Sequence, residues 1–381
     1  MPPAGGPFTG LPGEQGIVSQ LTSGASTAPT PTVSSGPPRY VPPPARSVGT
    51  VGMVLGYSVQ TNVLTMVADA IKSQVPALDK AIGDLQSACN NWSSGALGSI
   101  VGGGLAVDWP TGQDFGVMLD MIAKGFIPVA TQIADLHIDA VRKLADTASH
   151  YAETENRNYQ AMQEGLNDGV PVIPPGTYRY TAGTADVPPG VDEVPRVVQQ
   201  VAIKPGGGLT PTHVTYMNWQ EIMSVLHNLE PGPCRECGGL LLALGRELSR
   251  VAEQVADGGE RLAQNWQGQA AAEAINAFQA MYDQTATLAA EATQAGNVLN
   301  WVGNDVLPAF QEIPSPALAS GLIEFFRTHV EGNGTLSAAG GDLAGNAKAQ
   351  VAAEQYLTAL DNYLDQAYNA IPSPIAGTPG S

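Results

Sequence analysis

The side chains most able to carry chemistry are a Cys-x-x-Cys pair and the residues that could join it. The chain has three cysteines, and Cys234 and Cys237 follow His227 by seven and ten residues. Such a pair can be a redox centre, half of a metal site or a local disulfide. A redox centre is disfavoured because that motif belongs beside a strand, and the neighbouring sequence is predicted to be helical. A metal site with His227 and Cys89, a local disulfide, and free thiols at a helix start stay open.

Sequence patterns that identify enzymes are not found elsewhere. The five histidines are scattered and belong to neither a Gly-x-Ser-x-Gly nor a His-Glu-x-x-His sequence. His137 adjoins the apolar stripe of a predicted helix, and we expect it at the rim. The glycine runs at 102–104 and 206–208 lack the lysine and the strand-to-helix setting of a phosphate loop. We therefore predict a protein that is not an enzyme and has no catalytic, cofactor or metal site.

Charge and hydropathy narrow the class of partner. The chain has 35 acidic and 17 basic residues and a net charge of −18. This charge repels phosphate backbones and anionic lipid, so nucleic acid is not an expected partner. No run reaches the roughly 18 apolar residues of a membrane-spanning helix. The start lacks the basic and then apolar pattern of a secretory signal peptide. We expect no transmembrane segment, and either a cytoplasmic location or export by a route that reads no such peptide.

The structural elements of the chain are predicted to be helices. The clearest periodic pattern predicts a helical hairpin that turns at Trp266-Gln267-Gly268. Gly268 can take the left-handed backbone that ends a helix, and Trp266 can cover the helix ends while its indole N–H stays in water. On both sides of the turn, residues recur at steps of three and four, which is the repeat of helices packed side by side. They are Leu241, Leu244, Leu248, Val251, Val255, Gly258 and Leu262, and then Ala271, Ile275, Phe278, Tyr282, Thr285, Ala289 and Ala292.

A first helical hairpin is predicted over residues 58–165. Pro76 marks its first turn or a kink, and Pro128 should kink its second helix. Neither hairpin can bury its stripe alone, so we predict an all-α fold in which both form one elongated four-helix bundle within the chain. The two stripes of the first hairpin are Leu78, Ile82, Leu85, Cys89 and Trp92, and then Leu119, Ile122, Phe126, Val129, Ile133, Leu136 and Ala140.

The remaining segments are divided by composition. Residues 1–50 are rich in Pro, Gly, Ser and Thr and are predicted to be a disordered tail, because they offer little apolar surface to bury. Residues 166–215 are a Pro- and Gly-rich connector, and 216–312 hold the second hairpin. The C-terminal tail, 313–381, is expected to add helices at 318–327 and 347–368.

The turn and its surroundings resemble a known family. Residues 265–271 read NWQGQAA between two long predicted helices, in an acidic chain rich in Ala and Gln. This resembles the WXG family of helical-hairpin proteins exported by the type VII (ESX) secretion system of actinobacteria, in which Trp-x-Gly lies at the hairpin turn. The resemblance covers about residues 218–310. It implies export without a classical signal peptide and recognition by the secretion motor ATPase.

The family's export signal has a second half, Tyr-x-x-x-Asp/Glu, on the helix that packs beside the turn. Tyr151 and Glu155 fit it, and their spacing places them on one helix face. In the predicted bundle they approach Trp266. This division is similar to PE/PPE-like substrates, some of which fuse both parts and form ring-like oligomers; a tandem of two WXG hairpins describes it equally well. The resemblance implies a homo-oligomer whose export signal comprises Tyr151, Glu155, Trp266 and Gly268.

The chain departs from the family pattern in three places. The first hairpin carries WSSG at 92–95, which is Trp-x-x-Gly. No Pro-Glu or Pro-Pro-Glu stands at the chain start. Trp301-Val302-Gly303 is a second Trp-x-Gly, but it lies at a predicted helix end.

Three functions follow as hypotheses. The first is a secreted or cell-surface protein that acts by self-assembly or by binding host or envelope components. The second is a cytoplasmic scaffold whose hairpins dock other helices. The third is a toxin with a WXG-like leader, which is disfavoured because the roughly 70 residues after Phe310 show no catalytic cluster.

Overall fold

The protein is built almost entirely from helices. A computed structural model describes residues 31, 33, 35–50, 58–93, 100, 109–166, 208–313 and 338–372. The prediction of an all-α fold is confirmed for these residues. Their helices are α1 (Thr61–Ser93), α2 (Pro110–Leu166), α3 (Trp219–His227), α4 (Pro231–Asn265), α5 (Gln269–Trp301), α6 (Leu307–Gln311) and α7 (Ala338–Ala370), and two-residue strands β1 (Ser58–Val59) and β2 (Trp266–Gln267) pair with each other.

Helices α1 and α2 pack against each other as the first hairpin. Pro76 and Pro128 both lie inside helices, so Pro76 does not mark a first turn. Helix α2 begins at Pro110, earlier than the Gly-rich sequence suggested, and Trp109 just before it is buried. The Trp109 indole N–H donates to Asp361 of α7 at 2.8 Å, which ties the start of α2 to the C-terminal helix.

Helices α4 and α5 pack along their whole length as the second hairpin, with the turn at the predicted residues. Their backbones approach closely at a pair of glycines. A Cβ added to Gly296 would lie 2.8 Å from the carbonyl oxygen of Gly238, and one on Gly238 would lie 2.9 Å from that of Gly296. Such an approach requires the absence of side chains at both positions.

The two hairpins share one continuous core. Helix α1 packs on α4, and α2 also reaches α5. Gly258 of α4 faces Val67 of α1, whose Cγ1 would lie 2.8 Å from an added Cβ, and Phe278 of α5 packs at the same place. A glycine in the heptad stripe therefore makes room for the neighbouring hairpin. Helix α7 adds buried Leu357, Leu360 and Leu364 to the same core, among other residues.

An extended N-terminal segment, residues 35–50, lies across α4 and α5. We call it the strap. Pro38 and Pro44 accept hydrogen bonds from α5 side chains, and Arg46 forms ion pairs with Asp257 and Glu260 of α4. The prediction of a disordered tail over 1–50 is therefore wrong for these residues. Disorder was predicted because these residues have few apolar side chains, but the strap is bound largely through its own backbone. Residues 1–30 lie outside the described residues.

The C-terminal tail and the connector are described in part. Helix α7 covers the predicted helix at 347–368 and begins earlier, whereas the predicted helix at 318–327 lies outside the described residues. Of the connector, only residue 166 and residues 208–215 are described. There the Thr111 hydroxyl donates to the Thr210 carbonyl oxygen at 2.9 Å, which fixes the end of the connector to the start of α2. The domain boundaries stay predictions.

Candidate functional site

The tip of the second hairpin is a tight turn whose backbone is set by one glycine. Helix α4 ends at Asn265, and Trp266 continues in extended backbone with its N–H bonded to the Leu262 carbonyl. Gly268 follows with φ 113° and ψ −178°, a region that is open almost only to glycine. Gly268 therefore lets α5 start at Gln269, immediately after the turn. It precedes the N-terminus of α5; the sequence had suggested a helix-ending role.

A strand from the first hairpin closes this tip. Val59 pairs with Trp266 and Ser58 with Gln267 in an antiparallel ladder. Immediately after the strand, Gln60 donates its backbone N–H to the Asn265 carbonyl at 3.2 Å. The backbone before α1 is thus hydrogen-bonded to the turn of the second hairpin. Sequence reasoning missed this contact, because a two-residue strand has no periodicity to detect.

Trp266 is buried at the tip, and Tyr151 of α2 packs on it. The Trp266 side chain is 2% exposed. The Tyr151 ring meets it edge to face, with ring centroids 6.5 Å apart and planes at 84°. This is the favoured geometry of aromatic pairs. The structure therefore brings together the two aromatic residues that the sequence had singled out on separate hairpins.

The indole N–H of Trp266 is not in water. It is buried and has no hydrogen-bond partner among the described residues, so the expectation of a wet N–H is wrong. The cause is the closure of the tip by Tyr151 and β1 from the first hairpin. A buried N–H without a partner costs about 1–3 kcal/mol. The packing of Trp266 must more than offset this cost.

Of the four predicted export residues, Glu155 is the least defined. It lies in α2, one helical turn beyond Tyr151, and its side chain is outside the described part of the chain. Tyr151 itself is half-buried. Helix α2 continues past both to Leu166. The tyrosine motif thus lies on a helix that runs beyond the hairpin tip.

The second Trp-x-Gly has a different structural role. Trp301 ends α5, and Val302 to Val306 continue as a π-helix turn. The Trp301 indole N–H donates to the Ser35 carbonyl of the strap at 2.9 Å, and Gly303 packs on α4 beside Arg235. This copy is a helix-packing feature at the opposite end of α5 from the hairpin tip.

Cys234 and Cys237 are free thiols in the first turns of α4, and both are fully buried. Burial raises the pKa of Cys234 to about 12 and holds the pKa of Cys237 well above its ordinary value. Thiols in this state are poor nucleophiles and poor metal ligands. No group of three or more His, Cys, Asp or Glu side chains in the described ranges is arranged to hold a metal ion. His227, the proposed fourth member, instead bonds through Nε2 to the Ile313 carbonyl oxygen at 3.0 Å.

We expect all three cysteines to be protected from thiol reagents in the native protein. Cys89, Cys234 and Cys237 are buried, and the thiolate that reacts is disfavoured by burial. A chromogenic disulfide titration at pH 8 should show no fast-reacting thiol in buffer and three after denaturation. Rapid reaction of the native protein would contradict the buried placement. Two missing thiols after denaturation would show a Cys234–Cys237 disulfide.

His137 is buried within the core, so its expected place at the rim is wrong. It is fully inaccessible, and its Nδ1 lies 2.6 Å from the Ile133 carbonyl oxygen one turn earlier. Its Nε2 is buried with no hydrogen-bond partner among the described residues. Burial lowers the pKa of His137, so the neutral ring is held at physiological pH. Its burial and its bond to Ile133 make His137 part of the helical core.

One stretch of α2 has the length and composition of a membrane-spanning helix. It covers Pro110–Thr154, and 56% of its most apolar 18-residue stretch is buried inside the protein; length and composition alone do not distinguish it from a buried core helix. The expectation of no transmembrane segment stays a prediction.

Neither a protein-family model, nor a curated protein, nor a solved structure matches this chain.

Proposed function

We propose that this protein is a non-enzymatic substrate of a type VII (ESX) secretion system, exported through a composite signal at the tip of the second hairpin. The observation that carries the proposal is the contact between Tyr151 and Trp266. The two residues belong to different hairpins and were chosen from sequence because they match the two halves of one family signal. A shared site is the arrangement that a two-part signal needs.

The burial of Trp266 changes the part that each residue plays in this proposal. A side chain that is 2% exposed offers almost no surface to a receptor. Tyr151 is half-buried, and Gln267 at the turn is exposed. We therefore assign Trp266 and Gly268 to shaping the tip, and Tyr151 with Glu155 to presenting the signal to the secretion motor ATPase.

We also propose that the four long helices α1, α2, α4 and α5 form one elongated bundle. The support is the packing of α1 on α4, the contact of α2 with α5, and the β1–β2 pairing. One receptor can recognise a tyrosine on the first hairpin together with a turn on the second only when the two hairpins are held in a fixed relative position. Outside the cell, such a bundle would act by self-assembly or by binding a partner.

Replacing Tyr151 by alanine should stop export and leave the helical fold in place. The half-buried ring can be lost at small cost to the core, whereas removing buried Trp266 would cost about 3–5 kcal/mol and confuse folding with export. The measurement is the distribution of the protein between culture medium and cell pellet. The variant should match a strain that lacks the secretion ATPase. Circular dichroism and a thermal melt of the purified variant check the fold.

Tyr356→Ala is the matched control. Tyr356 is another half-buried tyrosine that packs against the core, but it lies on α7. It should lower stability by a similar amount without changing export. Equal secretion of both variants would refute the export proposal. Retention of the wild-type protein in the pellet, with the machinery intact, would favour the alternative of a cytoplasmic scaffold.

A further inference from the structure

The strap is held by side chains of α5 that bind its backbone carbonyl oxygens. Trp301 Nε1 donates to Ser35 at 2.9 Å. Gln294 Nε2 donates to Pro38 at 2.7 Å, and Tyr282 Oη donates to Pro44 at 2.8 Å. Every residue has a backbone carbonyl oxygen. These hydrogen bonds therefore depend on the backbone conformation of the strap and not on which side chains it carries.

The spacing of these three carbonyls is that of a polyproline II helix. Residues 35, 38 and 44 differ by multiples of three, and this helix has three residues per turn, so their carbonyls lie on one edge. Its rise predicts about 28 Å from residue 35 to residue 44. The rise of an α-helix likewise gives about 28 Å between Trp301 and Tyr282. The donors on α5 thus match the repeat of the strap from residue 35 to residue 44.

The sequence of the strap favours this conformation before it binds. Prolines occupy positions 37, 38, 42, 43 and 44. Each fixes its own φ near −65° and moves the preceding residue to extended backbone. A segment restricted in this way loses less entropy when it docks. Its low content of apolar residues, which first indicated disorder, is therefore compatible with binding.

The C-terminal end of the strap is fixed by a second set of contacts on α4. Arg46 donates to Asp257 at 2.7 Å and to Glu260 at 3.0 Å. Gln279 of α5 donates to the Arg46 carbonyl and accepts from the Val48 N–H, both at 3.0 Å. Beside them α4 has Gly259, where an added Cβ would lie 2.8 Å from Val48 Cβ. The contacts at this end depend on particular side chains. They therefore fix which residue of the strap lies opposite which residue of α4 and α5.

Between its two bound ends, the strap does not fill the surface groove that lies between α4 and α5. A cavity of about 320 Å³ lies between it and the two helices, lined by Arg39, Glu253 and Asn297 among others. The small residues Ala286, Ala289 and Ala290 form its floor on α5. The strap is therefore held at a few points, and an open space lined partly by alanine remains between it and the helices.

We propose that the groove of α4 and α5 is a polyproline II recognition site and that residues 35–48 of this chain are its ligand, bound in cis. The site accepts a proline-rich segment through the donors on Tyr282, Gln294 and Trp301, with Asp257 and Glu260 selecting a basic residue near its C-terminal end. Tethering gives the strap an effective concentration on the order of millimolar, so a free peptide cannot displace it readily. This inference is independent of the export proposal.

The test is binding of a fluorescent peptide of residues 33–50 to the full-length chain with a weakened strap. Arg46→Glu places a carboxylate against Asp257 and Glu260, and Gly259→Ala pushes against Val48. Release of the strap is followed by trypsin cleavage after Arg39. Both variants should be cut faster than wild type. Arg46→Glu should bind the peptide at least about tenfold more tightly, because competition from the tethered strap is reduced. Gly259→Ala should show no such gain, because its added Cβ would also meet Val48 of the peptide.

Two further binding measurements distinguish specific recognition of the proline-rich segment from nonspecific binding of a peptide. Adding Gln294→Ala to Arg46→Glu should weaken peptide binding, because a carbonyl donor is lost. A peptide with glycine at all five proline positions should bind at least about tenfold more weakly, because its unbound state is no longer restricted. Equal binding of the glycine and proline peptides would overturn the proposal, and so would release of the strap in Arg46→Glu without binding of the peptide. A wild-type dimer with exchanged straps would overturn the cis assignment.

Discussion

Replacing Gly296 by valine is expected to lower the free energy of unfolding by about 3 kcal/mol or more, the upper end for an overpacked core. A Cβ there would lie 2.8 Å from the Gly238 carbonyl oxygen and 3.0 Å from the Leu242 backbone nitrogen. Backbone atoms cannot rotate away as side chains can. The helices α4 and α5 would have to separate, and every contact along their interface would weaken. Urea denaturation followed by circular dichroism measures the change.

Gly239→Ala is the matched control on the facing helix. Gly239 is exposed, and an added Cβ would meet no atom within 4 Å. Alanine has the higher helix propensity, so this variant should gain about 0.5–1 kcal/mol. Opposite signs for the two glycine substitutions are the expected result. Little or no destabilisation by Gly296→Val would show that α4 and α5 do not approach at Gly296.

Replacing Glu291 by glutamine is expected to stabilise the protein at alkaline pH. Burial raises the pKa of Glu291 to about 7 from an ordinary 4.5, and its Oε2 has no hydrogen-bond partner among the described residues. Below pH 4.5 the carboxyl is protonated in both the folded and unfolded states. As pH rises from 4.5 to 7 the unfolded state ionises first, so wild-type stability falls. Above about pH 7 the cost is constant, at up to about 3 kcal/mol.

The measurement is the free energy of unfolding from pH 5.5 to pH 8.5. The advantage of Glu291→Gln over wild type should grow by about 2 kcal/mol across this range, because glutamine stays neutral. Glu253→Gln, which removes an exposed carboxylate from α4, is the control for the loss of one negative charge. Parallel profiles for Glu291→Gln and wild type would place an ionised, solvated carboxylate at position 291.

The positions of the helices could be predicted because their signal is local. The stripe that includes Leu241, Leu248 and Val255 repeats every seven residues, and the structure buries all three. The turn at Trp266 follows from the break in that repeat. The meeting of Tyr151 with Trp266 needed one more premise, the resemblance to a family in which both residues serve one signal. Periodicity alone does not choose which hairpin ends come together.

Other features were missed for different physical reasons. Gly238 and Gly245 stand one heptad apart in α4, but glycine lowers helix propensity, so a reading by propensity treats them as flaws and not as a packing surface. The strap binds through carbonyl groups, which composition does not report. His137 was expected at the rim because histidine is polar, yet burial lowers its pKa and keeps the ring neutral in the core, where its Nδ1 is bonded to the Ile133 carbonyl oxygen.

The pairing of Val59 with Trp266 has a consequence for synthesis on the ribosome. The two residues are separated by more than half of the chain. The first hairpin leaves the exit tunnel long before the strand partner that fixes its register exists. Until then its apolar stripes, including Leu119 and Phe126, have no second hairpin to cover them. The first hairpin therefore waits for residue 266 to emerge, and a chaperone that binds apolar helices would act in that interval.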